Sequence, residues 1–393
     1  MDVNRVLFEL SRLSDSVEGN DTFHQRRVAI IAYWIAEEMG FDRFGLDLLI
    51  KAALIHDIAL FNDTSKVETF RQIVYEDFER LTRHAVLSGR VARFFNLHLD
   101  ITTAINLHHT PIDSNSSVLG SILFLADNIE VAYRSLTNPY AFNEVFDFLN
   151  QKKNLFDDEM MKAFERVSKR ECFWFDLLDE NVDRRLLSML DGLAREKVDD
   201  KFKTAVCYFI GYFSDSISPF FENYSVLVKN IAVSLAYKLD LDIKTIQYAS
   251  LVSHTGNLLI PFDSFSLPSL EDEVYNIIKS HPYQALWILK SMGFVDEAEI
   301  VFKHHENHAL SGYPCKDEPH IEAAVVGLSS FVAAMMQDRP YREALDNNQI
   351  KQQIVDFKGL YPDYLLDALL DVDLDRVKKT KDEYYDAVKR LFL

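Results

Sequence analysis

The sequence predicts an all-α protein built as two tandem helical bundles. Apolar residues recur at helical spacing along nearly all of the chain, and strand-like alternation is scarce. Only 12 glycines and 10 prolines interrupt the 393 residues. The third observation is an internal repeat of about two hundred residues, a period at which a whole domain recurs. A chain of 393 residues, 48% hydrophobic, exceeds what one core usually serves, so two domains are expected.

Taken in order, the chain opens on MDVNRVLFELSRLSDS, which mixes charges with apolar residues and lacks the continuous apolar core of a signal peptide. From His24, HQRRVAIIAYWIAEEMGFD places Val28, Ile31, Ala32, Ile35 and Met39 on one helical stripe. His24 lies one turn before Val28 on that stripe and therefore points inward. Leu48 to Phe61, LLIKAALIHDIALF, is apolar enough for a core and ends on the pair His56-Asp57. A buried aspartate needs a partner, and an imidazole beside a carboxylate is a donor pair for a divalent metal. A hydrogen-bonded core pair is the plainer reading of that dipeptide alone. Further on come His84 in RHAVLSGRVARFF, His108 and His109 in INLHHTP, and Asp127 in the apolar helix GSILFLADNIEVAY. His98, in NLHLD, reads as a surface residue.

The same order then returns. Ser14-Asp15-Ser16 recurs as Ser214-Asp215-Ser216, and the helix from His24 lies over YSVLVKNIAVSLAYKLDLD from Tyr224. His254 falls opposite His56, His281 opposite His84, and His304-His305 opposite His108-His109. We expect one domain over 1–200 and a second over 201–393, with a boundary between Glu196 and Phe209 and a seam at the acidic VDDKFK, Val198–Lys203. The apolar run Ala323–Met336 reads as core.

In the first copy His24, His56, Asp57, His84, His108, His109 and Asp127 each sit on or at the end of a predicted helix. Facing helices can bring such residues together, as in helical di-metal proteins. Burying two carboxylates without cations would cost several kcal/mol each. Two divalent ions would remove that cost. By ligand type the set suits iron, manganese, zinc or nickel.

Charge bounds the partners. With 61 acidic against 42 basic residues the formal charge is −19, which argues against non-specific binding to DNA or an anionic membrane. A small phosphorylated ligand remains compatible, because a metal can hold one. The three cysteines, Cys172, Cys207 and Cys315, have no ligand spacing, and an odd, sparse count suits a reducing cytoplasm. No run of roughly 18 uninterrupted apolar residues exists. A cytoplasmic protein is expected.

The order H…HD…H…HH…D resembles the HD superfamily of metal-dependent phosphohydrolases. In the second copy HHENHALSGYP (His304 to Pro314) and DRPYR (Asp338 to Arg342) resemble the HD-GYP subfamily. The resemblance covers nearly the whole chain, twice. It implies an all-α phosphodiesterase acting on a cyclic dinucleotide such as cyclic di-GMP, or in some members cyclic GMP-AMP. It also implies two divalent ions, iron or manganese first and zinc or nickel next. His24, His56, Asp57 and Asp127 would hold one, and Asp57 would bridge to a second held by His84 and by His108 or His109. Asp57 and His109 are the residues this assigns to catalysis. Three departures stand out: Leu60 replaces the lysine of HDxGK, Asn20 replaces an acidic residue associated with a third metal, and HHTPIDSNSS lacks the GYP loop.

The second copy departs differently, with Tyr224, Thr255 and Ser330 where a histidine and two aspartates are expected. It reads as a non-catalytic scaffold or regulator. Arg339, Arg342 and Tyr313 are its candidate contacts for a phosphorylated ligand, a surface ion pair being the plainer reading of the arginines. The alternatives to a cyclic-dinucleotide phosphodiesterase are an inactive signalling module binding a nucleotide or a protein partner, and a nucleotide phosphohydrolase. A homodimer is compatible with each.

Overall fold

Several helices are opened at the N-terminus by an acid or hydroxyl side chain. In the computed structural model, which describes residues 1–16, 21–60, 78–112, 116–267 and 272–393, Asp2 accepts from the Asn4 amide to open α1, Val3–Asp15. Asp42 accepts from Gly45 to open α3, Arg43–Leu54. Ser117 accepts from Gly120 to open α6, Val118–Arg134. Each supplies an acceptor for an amide that the helix itself leaves unpaired. Among the described residues the only β pairing consists of isolated bridges. The all-α expectation holds. No helix among them is long and apolar enough to cross a membrane. Asn20 and the segment 113–115 of HHTPIDSNSS lie outside the described residues.

The chain divides into two compact units at Asp199–Asp200. The first is centred on α2, His24–Glu38, which is buried from His24 to Ile31 without a break. A helix buried on nearly all faces is one wrapped by others. It packs on α3, on α6, and on the later helices α8 (Asp158–Val167) and α10 (Asp179–Asp191). Two more helices, α4 (Phe78–Phe94) and α5 (Leu99–Asn106), pack on one another, and α5 also touches α3 and α6. Short helices α7 (Asn143–Asn150) and α9 (Glu171–Phe175) complete the unit.

The second unit is centred on α12, Tyr224–Lys238, which packs on α13 (Ile243–Val252) and on α17 (Ile321–Met335). Before it runs α11, Asp200–Ser216. The short α14 (Asp272–Ile278) leads to α15 (His281–Met292) and α16 (Val295–Lys303), which pack together. Four further helices, α18 (Asn347–Asp356), α19 (Asp363–Leu370), α20 (Leu374–Lys379) and α21 (Glu383–Leu391), follow α17.

The residues matched in sequence do the same local work. Asp15, ending α1, accepts from the Gln25 amide in the first turn of α2 at 3.1 Å. Asp215, near the end of α11, accepts from the Ser225 amide in the first turn of α12 at 3.0 Å. Positive φ occurs at Phe23 and Asn223, just before those helices, and at Gly40 and Asp240 just beyond them.

Candidate metal centre

Asp57 stands at the middle of the first unit's histidines, and its two oxygens face different partners. Oδ2 lies 3.3 Å from His24 Nε2 and 3.6 Å from His56 Nε2. Oδ1 lies 3.1 Å from His84 Nε2 and 3.4 Å from His108 Nε2. The donors thus fall into two sets that share Asp57: His24, His56 and Asp57, and Asp57, His84, His108 and His109. Asp127 joins the first side, its Oδ1 3.5 Å from His24 Nε2. His109 bridges the sides, with Nε2 2.9 Å from His84 Nε2 and Nδ1 3.9 Å from Asp127 Oδ2. All seven residues singled out in the first copy come together.

Local backbone geometry aims the rings. His56 and His108 each follow the last turn of a helix, α3 and α5, and each donates Nδ1–H to a carbonyl three residues back. The acceptors are Ala53 O at 2.8 Å and Ile105 O at 2.6 Å. Those bonds fix the tautomer and turn each Nε2 lone pair into the site. There His56 Nε2, His108 Nε2 and Asp57 Oδ1 are buried and make no hydrogen bond. Lone pairs facing a carboxylate at under 4 Å repel unless a cation lies between them. The donor set therefore fits divalent metal. The two clusters could hold such ions.

The electrostatics follow from burial and pairing. Burial holds His56 neutral, its pKa lowered to about 3 with the Asp57 carboxylate opposing. Burial likewise carries His109 well below the ordinary imidazole range, helped by His108 and His84. Asp57 is held well below the carboxylate range because the imidazoles around it outweigh its burial. Asp127 moves up, through burial and the nearby Asp57, against His24. Two like charges in one site thus separate in acidity.

His24 is the exception among the imidazoles. Burial presses its pKa down, but Glu130 outweighs that and, with Asp57, raises it to about 10. Its Nδ1–H donates to Glu130 Oε2 at 2.6 Å. Glu130 is fully buried on α6, one turn after Asp127, and also pairs with Arg27 at 3.4 Å and Arg134 at 3.5 Å. Arg27 continues outward to Leu177 O and the Asp179 carboxylate. Beside it the fully buried Arg26 meets Asp15, Asp21 and Asp183. Sequence reasoning missed this network. The only signal was the spacing DNIE, which puts Asp127 and Glu130 on one helical face.

His98 is exposed and caps α5. The arginines of DRPYR, candidate contacts for a phosphorylated ligand, donate to backbone carbonyls. Arg342 donates to the carbonyls of Ala334, Met335, Gln337 and Glu343, closing the C-terminus of α17. Arg339 donates to Phe220 O and lies over the rings of Phe221 and Tyr224. A helix end leaves carbonyls unpaired, and a guanidinium can satisfy several at once. Among the described residues neither forms a surface ion pair. Tyr313 stacks on His305, 4.6 Å between centroids.

Residues 23–132 match the family model described as HD domain. The chain is 21% identical over 375 residues to the 3'3'-cGAMP-specific phosphodiesterase 1 of Vibrio cholerae, covering 89% of this chain and 86% of that one. It is 25% identical over 198 residues to the cyclic di-GMP phosphodiesterase response regulator RpfG of Xanthomonas campestris, across 48% of this chain and 52% of that relative. A solved cyclic GMP-AMP-specific phosphodiesterase of V. cholerae superposes with a TM-score of 0.66 at 14% identity, over 98% of this chain and 99% of that one. At that identity the likeness is one of fold. The chain thus carries a match to the HD domain over residues 23–132 and is similar along most of its length to a cyclic-dinucleotide phosphodiesterase.

Proposed function

We propose that the first unit is a metal-dependent phosphodiesterase acting on a cyclic dinucleotide. The observation that carries this is Asp57, whose two oxygens each face a separate set of inward imidazole nitrogens. That is the arrangement a bridging carboxylate between two cations requires, with His24, His56 and Asp127 on one side and His84, His108 and His109 on the other. When bound, paired divalent ions, iron or manganese first and zinc or nickel next, supply activation of the attacking water and neutralisation of phosphoryl charge.

The chain's own residues do the rest. Ala53 O and Ile105 O hold His56 and His108 in the tautomer that offers Nε2. Glu130 orients His24 and strengthens it as a ligand. His109 has the greatest side-chain exposure of the clustered imidazoles, 13%, so it is the one a bound phosphodiester meets. Similarity to relatives named as cyclic-dinucleotide phosphodiesterases supports the substrate class. The second unit we read as non-hydrolytic: the Thr255 hydroxyl donates to Val252 O, and the Ser330 hydroxyl pairs with Tyr224. No carboxylate stands at either place.

One observation favours a second reading, a cytoplasmic signalling module that binds without turnover. Leu60 stands where a phosphate-contacting lysine is expected. The experiment is metal content of the wild type and of Asp57→Ala, beside chromatographic assay of 3'3'-cGAMP, cyclic di-GMP and mononucleotides. Metal that Asp57→Ala loses, with cyclic-dinucleotide hydrolysis, supports the proposal. Metal without hydrolysis of any nucleotide favours the second reading, and turnover of mononucleotides alone favours a nucleotide phosphohydrolase. Metal-free wild-type protein overturns the di-metal site.

A further inference from the structure

The second unit holds an imidazole cluster of its own. His254 follows α13, His281 opens α15, and His304 and His305 follow α16. One nitrogen from each lies within 4.8 Å of the others. Losing the aspartates removed any two-metal centre, yet what remains is not a random residue of that loss.

Three of the four rings are fixed in one tautomer. His281 Nδ1–H donates to Ile278 O at 2.8 Å, and His304 Nδ1–H donates to Val301 O. Ser253 gives its single hydroxyl proton to Ser250 O, so its oxygen accepts from His254 Nδ1–H at 2.8 Å. Each Nε2 is thereby left as a lone pair. His281 Nε2 and His304 Nε2 lie 3.4 Å apart, and His254 Nε2 has only a 3.5 Å contact to Ser330 Oγ. His305 Nδ1 is buried and makes no hydrogen bond. His281 and His304 are 2% and 0% exposed.

The backbone holds these rings in place. A Cβ at Gly256 would overlap the His281 carbonyl, one at Gly312 the His305 carbonyl, and one at Gly327 the His304 carbonyl. The buried acid next in sequence, Glu306, is already engaged by the amides of Cys315, Lys316 and Asp317. The donors available are therefore neutral nitrogens only. Such a set selects late first-row ions over magnesium, calcium or manganese, which want charged oxygen.

We infer that His254, His281, His304 and His305 form a mononuclear, all-imidazole site for one late first-row divalent ion of the zinc and nickel class. The site stands independently of the first unit's proposed chemistry.

The test uses the full chain carrying Asp57→Ala, stripped with chelator, then equilibrated with Zn2+ or Co2+ and desalted. The expected result is about one ion per chain, with the intense visible bands of a four-coordinate cobalt site. Adding His304→Gln should lower retention at least tenfold, to near zero. No retained ion in folded Asp57→Ala protein would overturn the site, as would an ion that survives His304→Gln. If that double variant fails to fold, X-ray absorption of zinc-loaded Asp57→Ala decides: a shell of imidazole nitrogens supports the site, and a mixed oxygen shell overturns it. The first unit is read separately, as the metal that wild type holds beyond Asp57→Ala.

Discussion

Replacing Glu130 by Gln keeps the volume on α6 and deletes the charge that faces His24. In the metal-free site that charge raises the His24 pKa to about 10, so at pH 7 its Nε2 carries a proton that any metal must displace. Wild-type apparent affinity at the first site should therefore climb about tenfold per pH unit between pH 7 and 9, as one proton leaves for each ion bound. In Glu130→Gln, His24 returns toward the ordinary value near 6.5 and the slope over that range should vanish. Well above pH 10, where proton competition has ended for both, the variant should bind about 10- to 100-fold more weakly. That is the usual cost of an outer-shell carboxylate, about 1.4–2.7 kcal/mol. Chelator competition across pH, with calorimetry in two buffers of different ionisation enthalpy, measures both quantities. Equal slopes for the two proteins would refute the role given to Glu130.

Four further outcomes can be checked by thermal melts. Metal-free protein should keep the His24 contribution to stability in full below pH 6.5 and lose it as pH rises through about 10, since the folded pKa is raised; metal-loaded protein, with Nε2 already deprotonated, should not show that loss. Gly312→Ala should destabilise the second unit by about 1–3 kcal/mol, because the new Cβ meets the His305 carbonyl; an unchanged melting temperature would remove the close approach as its reason. Arg342→Ala should lower the melting temperature and leave nucleotide binding unaltered, as expected of a helix-end cap; weaker nucleotide binding without destabilisation would restore the phosphate role. Asp240→Gly should stabilise by up to about 1 kcal/mol, since Asp240 has φ 53 where the first unit has Gly40; destabilisation would show that the aspartate holds a contact worth more than the strain.

The helices were legible because their apolar faces repeat at one period, and the first-unit donors because HD and HH are unusual in apolar surroundings. What escaped was charge. Arg26, Arg27 and Glu130 look like solvated helix positions in a linear reading, yet all three are buried: Asp15, Asp21 and Asp183 meet Arg26, and Arg27 joins Glu130 to Asp179. Pairing across 100 residues or more leaves no local pattern. The carbonyl contacts of the DRPYR arginines were not legible either, because the motif pointed toward a ligand and not toward the protein's own backbone. The twice-found Ser-Asp-Ser was visible as a repeat, but its work, receiving the first amides of the next helix, was visible only in three dimensions.

The two ligand types around Asp57 differ in what else they do. His56 and His108 each tie off a helix end through Nδ1, so deleting either ring opens a carbonyl as well as the site. Asp57 ties off no helix end: its Oδ1 makes no hydrogen bond, and its Oδ2 faces His24 and His56 of the cluster itself. In the proposed centre, changing that one codon would remove the residue common to both halves while the helix ends stay tied. The imidazoles are welded into the architecture; the carboxylate is its fuse.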